Sequence, residues 1–263
     1  MIFSELQSAQ LKRKWLTVRA IYTFTRYWLI LFILLFGIYN LLPFLAPVAM
    51  KFGWTSLGNT IYDVYSTQCH QMAQRSFFLF GTKPMYELNE LPVSLTGQIG
   101  LDELALRAIR GNEVLGWKVA WSDRMVYMYG SLWLASIMYY VLRQPTRKPM
   151  RLWIFVFMLI PLTLDGITHL LSDLNGLTSG FRYDNGWLAR LTNNVFANSF
   201  YIGDALGSFN ATVRFFSGVL FGFAVAGLVL PLLDSEMHRT GQILVGKLEK
   251  RALRFSTATP QDS

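Results

Sequence analysis

Asp165, His169 and Asp173 stand at i, i+4 and i+8 in a stretch whose preceding residues, 152–164, carry no charge. On a helix this spacing confines the three side chains to a sector of about 80°. A carboxylate inside hydrocarbon costs about 2.5–3.5 kcal/mol even on the lenient insertion scale. Such groups therefore face a bundle interior or a watery cavity, and they mark a candidate site. Three chemistries fit the stripe. In the first, His169 and Asp165 chelate a divalent metal from adjacent turns, with His70 or Asp123 completing the shell. In the second, His169 titrates and works as an acid or base beside the two aspartates, while Arg75, Arg124 and Arg214 hold an anion such as phosphate. In the third, the stripe is an interfacial hydrogen-bond network that fixes helix packing. Cys69 is the single cysteine. It excludes an intramolecular disulfide and an all-cysteine metal site, and it is read either as a small core residue or as a nucleophile.

The elements that must position these groups are apolar. Of 263 residues, 52% are hydrophobic and only 15% charged, against about 25% charged in a soluble domain. Four runs, at about 27–50, 124–142, 151–172 and 214–233, approach the roughly 20 residues needed to cross a bilayer. The expected fold is all-α, a polytopic membrane bundle of about four transmembrane helices. Its exofacial segments, about 52–122 and 173–213, are expected to be helix and loop. The first span is read as a retained helix rather than a cleaved signal peptide, bent by Pro43 and Pro47.

The net charge of +8 follows from topology and does not indicate nucleic-acid binding. Lys12, Arg13, Lys14, Arg19 and Arg26 lie in an N-terminal arm (1–26), and Arg143, Arg147, Lys148 and Arg151 lie between the second and third spans. Arg239, Lys247, Lys250, Arg251 and Arg254 lie in the tail (235–263). Four crossings put these segments on one side, and the positive-inside rule makes that side cytoplasmic. The expected location is the inner or plasma membrane, with both termini inside.

Finer expectations follow from local patterns. Residues 57–80 read as a helix that lies in the interface or dips into the bundle, and 81–117 as loop, with a short helix near 102–109. Trp117 and Trp121 are expected in an aromatic belt. Residues 187–209 read as a surface or re-entrant helix. Gly218, Gly222 and Ala226 form a small-residue edge for packing within the bundle, or for a homo-oligomer through the Gly218/Gly222 face. The tail from 236 to 255 reads as a basic amphipathic helix on the inner leaflet, and 257–263 as disordered.

Three ordered motifs carry a family likeness: Cys69-His70-Gln71 with Arg75-Ser76-Phe77-Phe78; Pro161-x-x-x-Asp165-Gly166-x-Thr168-His169; and Ser208-x-Asn210-x-x-x-Arg214-x-x-Ser217-Gly218. The chain resembles, over most of residues 69–234, the bacterial and archaeal membrane family called domain of unknown function 2085. That resemblance implies a fold and a site placement but no reaction. The resemblance implies a Cys-x-Arg-Cys element in many members where this chain reads Ser122-Asp123-Arg124-Met125, so the arginine remains without the thiols. A role common to both versions would rest on His70, Arg75, Arg124, Asp165 and Arg214.

The functional expectation is a site that binds or processes an anionic lipid headgroup, with or without a divalent metal. Its enzymatic version is hydrolysis or transfer at a lipid phosphate. The rivals are an oligomeric transporter or channel component and an accessory scaffold subunit of a membrane complex.

Overall fold

The computed structural model describes residues 2–142 and 148–256. Its frame is four helices, α1 (Ile2–Lys51), α4 (Asp123–Val141), α5 (Leu152–Asp173) and α9 (Phe209–Ser256). Within them, Trp15–Lys51, Leu152–Asp173 and Phe209–Lys247 are long and apolar enough to cross a membrane. Only 11% of the most apolar window of α5 is buried, so a soluble fold would leave most of its Leu, Ile and Phe side chains in water. Lipid removes that cost, which is of order 1.5–3 kcal/mol per large apolar side chain.

Cross-helix contacts set the directions. Trp133 Nε1 donates to the Ile33 carbonyl at 2.9 Å, and Tyr129 meets Tyr39 edge-on, so α4 runs antiparallel to α1. Gly218 lies against Tyr127, Gly222 against Ser131, and Asp234 against Tyr139, so α4 and α9 run parallel. α5 starts where the Met150 N–H bonds the Gly227 carbonyl and ends beside the start of α4. A core of Trp28, Leu29, Leu132, Ala135, Ala226 and Leu230 joins α1, α4 and α9. The Gly218/Gly222 edge is used up in this core. A Cβ on Gly222 would sit 2.0 Å from Ser131 Oγ and 2.5 Å from the Leu132 nitrogen. The homo-oligomer expected through that face therefore has no free surface there.

One end of the bundle carries a cap, and here the all-α expectation needs correcting. Ser76–Leu79 (β1), Gly111–Asn112 (β2) and Gly116–Ser122 (β3) form an antiparallel sheet in the order β1-β3-β2. Residues 57–80 are thus not one helix. α2 (Thr55–Ser66) stops, a turn at Ala73–Arg75 follows, and the chain enters β1. β3 alternates poorly because successive residues on both of its faces are buried: Val119, Ala120 and Trp121 in a core with α1 and α2, and Lys118 beside them. Trp121 is fully buried among Tyr39, Tyr65 and Tyr129, not in an interfacial belt. The short helix α3 (Ile99–Ala108) lies close to its expected place.

The 187–209 segment is not one helix either. Short helices α6 (Phe181–Asp184), α7 (Gly186–Leu191) and α8 (Asn198–Tyr201) are separated by turns at Asn185 and Asn193–Asn194, all with positive φ. α1 continues through Pro43 and Pro47. α9 continues through Pro231 into the basic tail, which is therefore an extension of the fourth frame helix and not a separate helix lying flat. Arg143, Arg147 and the expected disorder at 257–263 fall outside the described residues.

Candidate functional site

The titratable stripe meets its arginines at the capped end of the bundle. Asp165 is buried and receives Arg124 Nη2 at 2.5 Å and Arg182 Nη2 at 2.9 Å. Asp173, two turns further, takes both terminal nitrogens of Arg75 at 2.7 and 2.9 Å. Arg75 Nε then donates to Asp204 at 2.7 Å. Asp204 also receives Arg214 Nη1 at 2.6 Å, and Arg214 Nε reaches Asp123 at 2.7 Å. Four arginines and four aspartates alternate through two ladders, with no net charge between them. Charges removed from water persist only when paired and hydrogen-bonded in this way.

Local sequence explains the placement. Asp123 opens α4, where its Oδ1 accepts the Arg124 N–H at 2.7 Å and its negative charge suits the helix start. Asn210 and Arg214 lie one turn apart on α9. Asn210 Nδ2 donates to the carbonyls of Arg182 and Gly203, and its Oδ1 accepts Arg182 Nε. That single amide ties together the two loops that carry Arg182 and Asp204. Gly180 passes so close to the end of α5 that a Cβ would lie 2.2 Å from Ser172 Oγ. The same approach lets the Arg182 N–H bond that hydroxyl at 2.9 Å. Gly203, at φ +76°, presses against Glu87, whose carboxylate would lie 1.8 Å from any Cβ there.

The electrostatics follow from burial against partners. Burial works to raise the Asp204 carboxyl, but the guanidiniums of Arg75 and Arg214 outweigh it and hold the group well below the usual carboxylate range. Burial works to lower Arg75, and Asp204 and Asp173 more than reverse it. Glu87 is raised, first by burial and then by the neighbouring charge of Asp204.

His169 is buried, and Arg182 Nη2 lies 3.0 Å from its Nε2. A guanidinium can only donate, so Nε2 accepts and the ring proton sits on Nδ1. That Nδ1 is buried without a partner among the described residues. The lone pair a general base would use is already engaged. Among the described residues no group of three or more His, Cys, Asp and Glu side chains could hold a metal. The expected set of His70, Asp123, Asp165 and His169 does not converge as a ligand cluster. Asp123 and Asp165 are occupied by different arginines, and His70 is exposed.

Beside the ladders lies a cavity of about 180 Å³. Its walls include Cys69, His70, Arg75, Ser122, Arg124 and Arg214. Cys69 Sγ lies 3.3 Å from Ser122 Oγ. Gln71, at φ 52°, holds the wall by donating to the carbonyls of Tyr62 and Ala120. Arg75 and Arg214 contribute to the cavity but spend their donors on carboxylates and, for Arg214 Nη2, on the Asp204 carbonyl. Arg124 differs: it is 27% exposed, only Nη2 is paired, and its buried Nε has no partner among the described residues.

Sequence reasoning missed Arg182 and Asp204. Each sits in a turn-rich stretch without helical period, and only its contact with Asn210 or Arg214 reveals it. The one available signal was the third motif itself, whose Asn210 needed partners outside α9.

No solved structure matches the chain. An uncharacterised protein of the archaeon Methanocaldococcus jannaschii is 28% identical over 176 residues, covering 64% of this chain and 87% of its own length. The family model described as "Predicted membrane protein (DUF2085)" matches residues 110–228, a shorter reach than the 69–234 expected from the motifs. That match takes in β3, α4, α5, most of the aspartates and arginines of the ladders, and the first half of α9. Residues 110–228 are thus similar to a family of predicted membrane proteins, and the three long apolar helices agree with a multi-pass membrane protein.

Proposed function

We propose that this is a four-span membrane protein whose outer end binds one phosphate-type anionic group in the cavity walled by His70 and Arg124. α4, 19 residues long, runs beside α1 and α9 through their apolar sections. At about 1.5 Å per residue it covers the thickness of a hydrocarbon core. Four crossings bring both termini to one side. Arg26, Lys148, Arg151 and Arg239 lie towards that side, while Lys51 at the opposite end is paired with Glu113. The bias supports a cytoplasmic location for both termini and an outward-facing cap.

The observation that carries the binding reading is the unpaired Nε of Arg124, a residue that lines the cavity. A buried guanidinium donor without an acceptor is costly, and an anionic oxygen satisfies it with a charge-assisted bond. His70 and Ser122 add donors on the same walls. In this reading Asp165 and Asp173 are counter-charges that hold the arginines in place, and His169 is a packed strut. The function is recognition, and catalysis at the Asp165–His169–Asp173 stripe is not required.

Binding of inorganic phosphate, and separately of vesicles containing phosphatidylglycerol, to the detergent-purified protein tests this. Arg124→Gln is expected to weaken binding about tenfold or more, given 1.5–3 kcal/mol for a hydrogen bond to a charged group. Arg124→Lys keeps the charge but loses the fork, and His70→Ala leaves both ladders intact; each should fall between wild type and Arg124→Gln. Binding of phosphate alone identifies a free anion, and binding of vesicles alone identifies a headgroup. Failure of both, or equal affinity in Arg124→Gln, overturns the reading.

A further inference from the structure

The opposite end of the bundle holds a second concavity that owes nothing to the arginine ladders. α9 packs against both α4 and α5, yet away from the Arg124–Asp165 bond at the capped end α4 and α5 have little contact with each other. The three helices therefore form a trough with α9 as its floor. A cleft of about 570 Å³ occupies it, lined by Met138, Leu142, Met158, Leu220 and Phe223 and by Lys148, which precedes α5 by four residues. The floor runs from Leu220 to Pro231, about 16 Å of helix. That is the depth of one leaflet of a core about 30 Å thick. Lys148 is exposed and has no ion-pair partner among the described residues. Met150 is pinned to the floor by its backbone bond to Gly227, which fixes where Lys148 emerges.

We propose that this cleft is a specific site for one anionic glycerophospholipid of the leaflet facing Lys148, an acyl chain filling the trough and the phosphate meeting the lysine. The length of the trough, its apolar walls and Lys148, the one cation among its described lining residues, match the two halves of such a molecule. A neutral lipid would satisfy only the walls. The flexible thioethers of Met138 and Met158 suit a chain with many conformers. The site lies at the other end of the molecule from the Arg124 cavity and stands whether or not that cavity binds phosphate.

Native mass spectrometry of the full chain, exchanged into nanodiscs of equal phosphatidylglycerol and phosphatidylcholine, reads the retained lipid. Wild type should retain phosphatidylglycerol in preference by about fivefold, the worth of about 1 kcal/mol for one lysine near anionic headgroups. Lys148→Glu, a change at an exposed position, should abolish the preference. Met158→Trp should reduce retention of both lipids by filling the trough. Each measurement is repeated in Arg124→Gln, which removes the outer cavity's reader. Preference lost with Lys148→Glu but kept with Arg124→Gln supports the site. An unchanged preference in Lys148→Glu overturns it, as does undiminished retention in Met158→Trp, or loss of all preference with Arg124→Gln alone.

Discussion

Replacing Asp165 by Asn is the sharpest perturbation of the charged ladders. The side chain is fully buried and accepts from Arg124 at 2.5 Å and from Arg182 at 2.9 Å, with His169 at 3.5 Å. An amide keeps the shape, removes the charge, and turns an NH2 group towards guanidinium donors. The lattice of four arginines and four aspartates is left with one excess positive charge. Removing one partner of a buried pair costs about 3–5 kcal/mol, because the other charge stays buried and uncompensated. The upper part of that range applies to Arg182, whose side chain is 9% exposed, and the lower part to Arg124 at 27%. A chain of this size loses on the order of 10 °C in melting temperature for such a change, readable by size-exclusion after heating in detergent. Arg124→Gln in the same molecule removes the excess charge. The double variant should therefore be less destabilised than the sum of the singles by at least about 1 kcal/mol. A loss below about 1 kcal/mol in Asp165→Asn, or strict additivity, refutes the idea that these charges stabilise the fold as one coupled lattice.

Three further expectations are independent of that lattice. Cys69 is the chain's only cysteine and is half-buried in the cap, so a membrane-impermeant maleimide should label intact cells at this residue and fail with Cys69→Ser. Labelling only after lysis reverses the proposed orientation. Lys118 is buried on β3, where Nζ donates to the carbonyls of Gln71 at 2.6 Å and Arg107 at 3.0 Å. Burial, helped by Arg110, lowers its pKa to about 7, against about 10.4 in an unfolded chain. Between those values the folded state holds fewer protons, so stability rises with pH by up to about 1.4 kcal/mol per unit and levels off below about 7. Lys118→Met should flatten the rise of melting temperature over this window, and an unchanged slope contradicts the assignment. Gly222→Ala should cost about 1–3 kcal/mol through overpacking against Ser131 and Leu132, whereas Gly166→Ala, whose Cβ meets nothing within 4 Å, should be neutral or stabilising. Equal effects in the two melts would contradict the α4–α9 packing.

The spans were legible because hydrocarbon tolerates so few charges that the runs between Arg26 and Lys51 and between Arg151 and Asp165 stand out directly. The stripe was legible for the same reason, since only a functional or paired group survives at Asp165. The cap was not legible. β3 is covered on both faces, so Gly116–Ser122 shows no alternation, and Trp117 and Trp121 mimic a belt. Arg182 and Asp204 escaped because a four-residue helix and a turn show no period. Their positions depend on Gly180, Gly203 and the amide of Asn210, which act only through tertiary contact. The roles of Arg75 and Arg214 were also hidden. Residue type suggested anion clamps, while their partners make them the rungs of a neutral ladder.

The most direct measurement is anomalous diffraction from crystals of the protein grown with selenate, a tetrahedral dianion that stands in for phosphate. A peak within hydrogen-bonding distance of Arg124 Nε, lost in Arg124→Gln crystals, is the predicted result. A cavity holding only water at saturating selenate, with the guanidinium turned wholly onto Asp165, would contradict it.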